Sequence, residues 1–131
     1  MSKVINASGT RKKSVARATL KSGKGLIKIN SLNLDIYTPE ILRLKIQEPL
    51  ILAGPIANKI DISVRVAGGG INSQSEAVRL AIAKCLVEKD NKLEEIFLEY
   101  DRHLLIADVR QREPCKPNDS SARAKRQKSY R

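Results

Sequence analysis

The sequence contains no tryptophan, one phenylalanine and three tyrosines. Any core it forms must therefore pack aliphatically, on Ile, Leu, Val and Ala. Histidine occurs once, as His103, and cysteine twice, as Cys85 and Cys115. Metal ligation needs clustered His, Cys or carboxylate ligands, and here they are scattered. Cys85 sits in an apolar periodic stretch and Cys115 among polar residues. Nothing pairs them, so a reducing cytoplasm is the default expectation. No apolar run approaches the ~20 residues that span a bilayer. The N-terminus has no apolar segment of the signal-peptide kind. Acids are missing altogether from Met1 to Leu34, and Asp119 stands alone among the cations from Lys116 to Arg131.

That last absence organises the chain. The net charge is +11 over 131 residues. Met1 to Leu34 contributes +8, the middle −2, and Lys116 to Arg131 +5. The excess lies on two arms flanking a near-neutral body, and such segregation points to a polyanionic partner. The body suits one domain, expected over residues 1–110 with a basic N-terminal segment. Residues 111–131 have no apolar periodicity and are expected to form an extended basic tail that cannot fold alone.

Periodicity predicts an α/β (α+β) two-layer sandwich with helices on a four-stranded mixed sheet. Val15 to Leu20 reads as a strand with Ala16, Ala18 and Leu20 inward. After the Ser22-Gly23-Lys24-Gly25 turn, Leu26 to Asn30 reads as a second strand, expected to pair with the first as a hairpin with a basic outer surface. Thr38-Pro39-Glu40 starts a helix, with Thr38 as N-cap and Pro39 at the first helical position. Pro49 is expected to kink or divide it. Lys59 to Val66 alternates without error, Ile60, Ile62, Val64 and Val66 against Asp61, Ser63 and Arg65. Ser73 to Lys89 reads as a helix, with Val78, Ala81, Ile82, Cys85 and Leu86 on one face and Ser73 as N-cap. A shorter helix carries Leu93, Ile96, Phe97 and Tyr100, and Leu104 to Ala107 reads as a short buried strand.

Little here resembles catalytic machinery. His103 lies beside Arg102, and Asp101 and Asp108 are flanked by Arg102 and Arg110, which favours salt bridges over an acid/base pair. Gly68-Gly69-Gly70 follows a strand and precedes a helix, a place where backbone N–H groups can cradle phosphate. It lacks both the G-x-G-x-x-G spacing and the P-loop lysine. A tight turn with positive φ and close approach of an RNA backbone both remain open for it. No enzyme, cofactor, metal, small-molecule substrate or membrane partner is expected. Arginine is well represented among the arm cations, and its planar fork suits phosphate. The arms lack an apolar face for membrane insertion.

Several segments are familiar in this order. Ser8-Gly9-Thr10-Arg11-Lys12-Lys13-Ser14-Val15-Ala16-Arg17 resembles the opening motif of the family of ribosomal protein nine of the small subunit. Lys24 to Asn30 and Val64 to Gly70 resemble its next two segments. Tyr100-Asp101-Arg102, Leu104-Leu105, Ala107-Asp108, Arg110, Ala122 to Lys125 and the ending Gln127-Lys128-Ser129-Tyr130-Arg131 resemble its archaeal and eukaryotic branch. The resemblance runs from about Ile5 to Arg131. Three places depart from the family pattern: Val109 replaces a usual proline, Glu113 to Ser121 replaces a glycine-rich spacer, and Ile71-Asn72-Ser73 differs at the helix approach.

The resemblance implies a fold like the second domain of ribosomal protein S-five, with a left-handed βαβ crossover, where pattern alone favours a right-handed one. It implies a structural constituent of the small-subunit head in the cytoplasm, packed among neighbouring head proteins and bound to ribosomal RNA. For that RNA, the expected contacts on the N-terminal side are Arg11, Lys12, Lys13, Arg17, Lys21 and Lys24. Gly68, Gly69 and Gly70 join them, as do Arg102, Arg110 and Arg112. In the tail they are Arg123, Lys125 and Arg126. The family's terminal arginine touches the anticodon stem-loop of peptidyl-site tRNA, which carries over to Arg131, with Lys128 and Tyr130 in support. The alternatives are a general single-stranded nucleic-acid binder and an enzyme using Gly68 to Gly70 for a nucleotide.

Overall fold

A computed structural model of the chain describes residues 3–118 and 121–130. Five strands form one sheet: β1 (Ile5–Arg11), β2 (Ser14–Ser22), β3 (Ile27–Ile29), β4 (Leu32–Asn33) and β5 (Ile60–Ala67). Three α-helices are described, α1 (Glu40–Ala53), α2 (Ile71–Lys89) and α3 (Leu93–Tyr100), together with short 3-10 segments at Leu34–Ile36, Gly54–Lys59 and Arg102–Leu104. Strand order is β1-β2-β5-β3-β4. β3 and β5 run parallel, joined through α1, and every other pairing is antiparallel.

The expected α+β architecture with a mixed sheet is present, and its strand count and pairing are corrected. β1 and the two-residue β4 are strands that periodicity did not mark. β2 and β3 do not form a hairpin, because β5 lies between them. The turn at residues 22–25 instead steps over the end of β5. Asp61 on β5 holds that step by accepting backbone N–H bonds from Lys24 and Leu26, both 2.9 Å. The expected strand at Leu104–Ala107 is absent: Arg102–Leu104 forms a single 3-10 turn. The Asp101 carboxylate starts that turn by accepting the His103 N–H at 2.9 Å.

Two helix starts also shift. α1 has Pro39 as its N-cap without a side-chain cap, and it runs unbroken through Pro49, whose ring is buried. α2 begins at Ile71 with Gly70 as N-cap. Ser73 then lies one turn inside, its hydroxyl hydrogen-bonded to the Gly70 N–H at 3.1 Å.

One sheet face carries the helices. Ala16, Ala18 and Leu20 of β2 and Ile60, Ile62, Val64 and Val66 of β5 are buried there. α2 meets them with Ala77, Val78, Ala81, Ile82, Cys85 and Leu86, α1 adds Leu42 and Ile46, and Phe97 of α3 is fully enclosed. Each of the Val, Leu, Ile and Phe side chains contributes about 1.5–3 kcal/mol on burial. Alanines on β2 and Gly9 on β1 let α2 lie close. A Cβ on Gly9 would sit 2.4 Å from the Ala77 carbonyl oxygen and 2.8 Å from the Ala81 nitrogen. Among the described residues no helix covers the opposite sheet face. No described helix is long and apolar enough to cross a membrane.

Candidate nucleic-acid interface

At one end of the sheet the β1–β2 turn carries Lys12 and Lys13, both exposed. Lys12 adopts φ 52° to close the turn. Beneath it lies the glycine turn after β5. Ser14 is buried, and its hydroxyl donates to the Gly68 carbonyl at 2.8 Å and lies 2.8 Å from the Ser73 hydroxyl. Gly68 and Gly69 have φ of 81° and 61°. A Cβ at Gly68 would come within 2.5 Å of the Lys13 carbonyl, and one at Gly69 within 2.3 Å of Ser14 Oγ. These two glycines thus serve a left-handed turn packed against the hairpin backbone. Gly70 faces open space.

Beside this end, an ion-pair network ties β1 to the root of the C-terminal segment. The Arg11 side chain is only 14% exposed. Its Nε donates to Glu76 at 2.7 Å, its Nη1 donates to the Arg110 carbonyl at 3.2 Å, and its Nη2 lies 3.6 Å from Asp108. Asp108 also accepts from the Arg110 side chain at 2.7 Å and from its backbone N–H at 3.0 Å. Those bonds from Arg110, with the charge of Arg11 behind them, hold the Asp108 carboxyl well below the usual carboxylate range. Nearby, Arg79 pairs with Glu48 and with Asp101. Burial pushes the Asp101 carboxyl up, but the His103 N–H and Arg79 outweigh it and leave it lowered. Arg11 is therefore engaged within the fold, whereas the Arg110 guanidinium is 80% exposed while paired.

The open sheet face forms the third basic surface, a shallow trough of about 690 Å³. Arg17 and Lys21 of β2, Arg65 of β5 and Lys28 of β3 all point into it. Arg17 stands directly opposite Arg65 across the β2–β5 pair, and Ser8 of β1 flanks Arg17 on the other side. Among the described residues, neither arginine has an acidic partner. Asp61 is the one acid on this face among the described residues, and Lys21 is its cross-strand neighbour. The Leu26 N–H, then that of Lys24, lower the Asp61 pKa. Lys24 is exposed in the turn beside it. Arg65 and Lys28 were not singled out from the sequence as contacts. Each is legible as an outward strand residue, but their company with Arg17 depends on strand register.

Among the described residues no helix or strand forms beyond Leu104. Arg102 and Arg112 are exposed. Within the tail Arg123 makes a two-pronged pair with Glu113, at 2.9 Å and 3.0 Å from its Nε. Lys116 donates to the Ala124 carbonyl at 3.1 Å. The limbs on either side of residues 119 and 120 are thus tied together. Lys125, Arg126, Lys128 and Tyr130 are exposed, Tyr130 by 93%. Arg131, the expected tRNA contact, lies outside the described residues.

Comparison with known proteins supplies the family. A family model described as ribosomal protein S9/S16 matches residues 9–131. The small ribosomal subunit protein uS9 of Methanococcus maripaludis (strain C7) is 49% identical over 133 residues, covering 98% of this chain and 99% of that protein. The protein of the same name from Methanothrix thermoacetophila is 47% identical over 131 residues, again covering 98% of this chain and 99% of the relative. With nearly the full length of both chains aligned, the protein belongs to the ribosomal protein S9/S16 family.

Proposed function

We propose that this protein binds ribosomal RNA in the head of the small subunit and sends its C-terminal tail to the peptidyl-site tRNA. Family membership makes it a structural constituent of the small ribosomal subunit rather than an enzyme. The observation that carries the finer reading is the charge map. Two acid-poor arms, at +8 and +5, flank a body of −2. Lys12, Lys13, Arg17, Lys21 and Lys24 are exposed cations on the N-terminal arm, and phosphate neutralisation with counterion release is the chemistry open to them. Arg102, Arg110 and Arg112 continue that surface, and Gly70 leaves room for a close backbone. Arg11 braces the domain instead. Arg123, Lys125 and Arg126 bind RNA along the tail, and Lys128, Tyr130 and Arg131 meet the anticodon stem-loop. On the same family ground the crossover through α1 is left-handed and the domain S-five-like.

The tail of about 20 residues spans up to roughly 65 Å when extended, enough to thread through folded RNA. Two experiments test the reading. Small subunits carrying protein truncated before Lys128 should assemble normally and hold peptidyl-site tRNA less well. Unchanged tRNA binding by these subunits refutes the tail's role. A general single-stranded binder would wash off small subunits in moderately high salt, whereas a subunit constituent stays with them.

A further inference from the structure

The open sheet face has a composition that selects its ligand. Its centre is a pair of arginines, Arg17 and Arg65, facing each other across two hydrogen-bonded strands. Directly opposed side chains on one face sit about 5 Å apart at Cβ, and like charges there are destabilising. Cross-strand opposites in sheets usually compensate such charges. Among the described residues the face's one acid, Asp61, stands opposite Lys21, and no described acid compensates Arg17, Arg65 or Lys28. Around them the trough is lined by small polar side chains, Asn6, Ser8, Thr19 and Ser63. Thr19 donates to Asn6 at 2.9 Å, which fixes one of these polar pairs.

No aromatic residue lines this trough. Of the described tyrosines, the strongly exposed ones are Tyr100 on α3 and Tyr130 in the tail. Sheets that read single-stranded RNA do so by stacking bases on exposed aromatics, and this sheet has nothing to stack on. Guanidinium forks and hydroxyls instead suit phosphates and 2′-hydroxyls, the groups that a double-helical RNA displays along its wide, shallow minor groove.

The geometry points to the open face of the β-sheet as a docking surface for the backbone of duplex RNA, with a phosphate held between Arg17 and Arg65 and a second taken by Lys28. This inference rests on the ribosomal-RNA reading above and narrows it to one face, one RNA form and one central pair. The facing arginines repel each other in the free protein and are drawn together by a bound phosphate. The face thus trades a little stability of the free chain for RNA affinity.

The test uses the full chain with Arg17→Gln and Arg65→Gln together, against a short RNA duplex of arbitrary sequence and a uridine single strand of equal length. A variant with Lys125→Gln and Arg126→Gln reports on the tail. The sheet variant should bind the duplex on the order of tenfold more weakly, and the slope of log affinity against log salt should flatten by roughly 0.7–0.9 for the one lost phosphate contact. Its loss on the uridine strand should be smaller. Its melting temperature without RNA should equal or exceed that of the unaltered protein, since a pair that braces the fold would instead lower it. An unchanged duplex slope in the sheet variant, with the tail variant weakened, overturns the proposal while leaving ribosomal-RNA binding intact. Failure of the unaltered protein to bind any RNA sinks the broader reading as well. A sheet-dependent loss that is greater on the uridine strand overturns the duplex assignment. Sheet-dependent binding of a polyglutamate peptide without duplex binding would make an acidic protein the partner and overturn it too.

Discussion

Replacing Gly9 with alanine adds one methyl group where β1 crosses α2. The added Cβ would lie 2.4 Å from the Ala77 carbonyl oxygen, 2.8 Å from the Ala81 nitrogen and 3.1 Å from the Leu80 Cβ. Two of these neighbours are helix backbone, which cannot rotate away. Relief requires β1 to withdraw from α2 by about an ångström, which loosens Ile5, buried to 2% exposure on the same strand. Forcing a methyl into a packed site costs about 1–3 kcal/mol, and backbone on the receiving side puts Gly9 at the upper end. Against this, alanine restricts the unfolded chain and returns about 0.4–1 kcal/mol. The net loss is then about 2 kcal/mol, or roughly 8 °C in melting temperature for a domain of this size. Gly70→Ala is the control, because its Cβ would meet nothing within 4 Å and its φ of −102° suits any residue. It should lower the melting temperature far less than Gly9→Ala does, because the restricted unfolded chain partly offsets the poorer N-cap that alanine makes. Thermal denaturation followed by circular dichroism measures both. A Gly9→Ala protein as stable as the unaltered one would refute the claim that the glycine exists for close strand–helix approach.

Two further outcomes follow from the ionisable groups. Asp61, Asp101 and Asp108 all have carboxyl pKa values lowered in the fold. A lowered folded pKa contributes stability that is present above the unfolded value of about 3.9 and is lost as pH falls through the folded one. Melting temperature should hold on acidification to about pH 5 and fall below pH 4, and Asp101→Asn should flatten that acid limb; an unaltered limb in this variant contradicts the assignment. Burial pushes the Cys85 thiol up to about 11, while Cys115 is exposed. A chromogenic thiol reagent at neutral pH should therefore titrate one cysteine in the folded protein and a second only in denaturant.

The elements that the sequence declared most clearly are those whose burial is written in hydrophobic residues. β5 alternates Ile60, Ile62, Val64 and Val66, and all four are buried. β1 escaped notice for the opposite reason. Its inward positions are Ile5, Ala7 and Gly9, and the space at Gly9 is filled by the α2 backbone rather than by a side chain, so the strand has almost no hydrophobic signature. Leu104 to Ala107 misled in the other direction. Four apolar residues in a row read as a strand, but only Leu104 is buried, and the Asp101 carboxylate bends the chain into a turn at that point. The interface shows the same division. Arg17 and Arg65 each sit on the polar side of a legible alternation, yet their opposition follows from β5 pairing with β2, a register that no single strand reveals. Arg11 looked like any arm cation. Its engagement depends on Glu76 and Arg110, 65 and 99 positions away.

Those separations also order events during synthesis. β1 and β2 leave the ribosome first and can pair at once, since two residues connect them. Their apolar side must then wait for β5 and α2. The guanidinium of Arg11 remains solvated until Glu76 arrives, and it reaches Asp108 and the Arg110 carbonyl only after residues 108–110 have emerged. The joint between body and tail is therefore the last part of the domain to set.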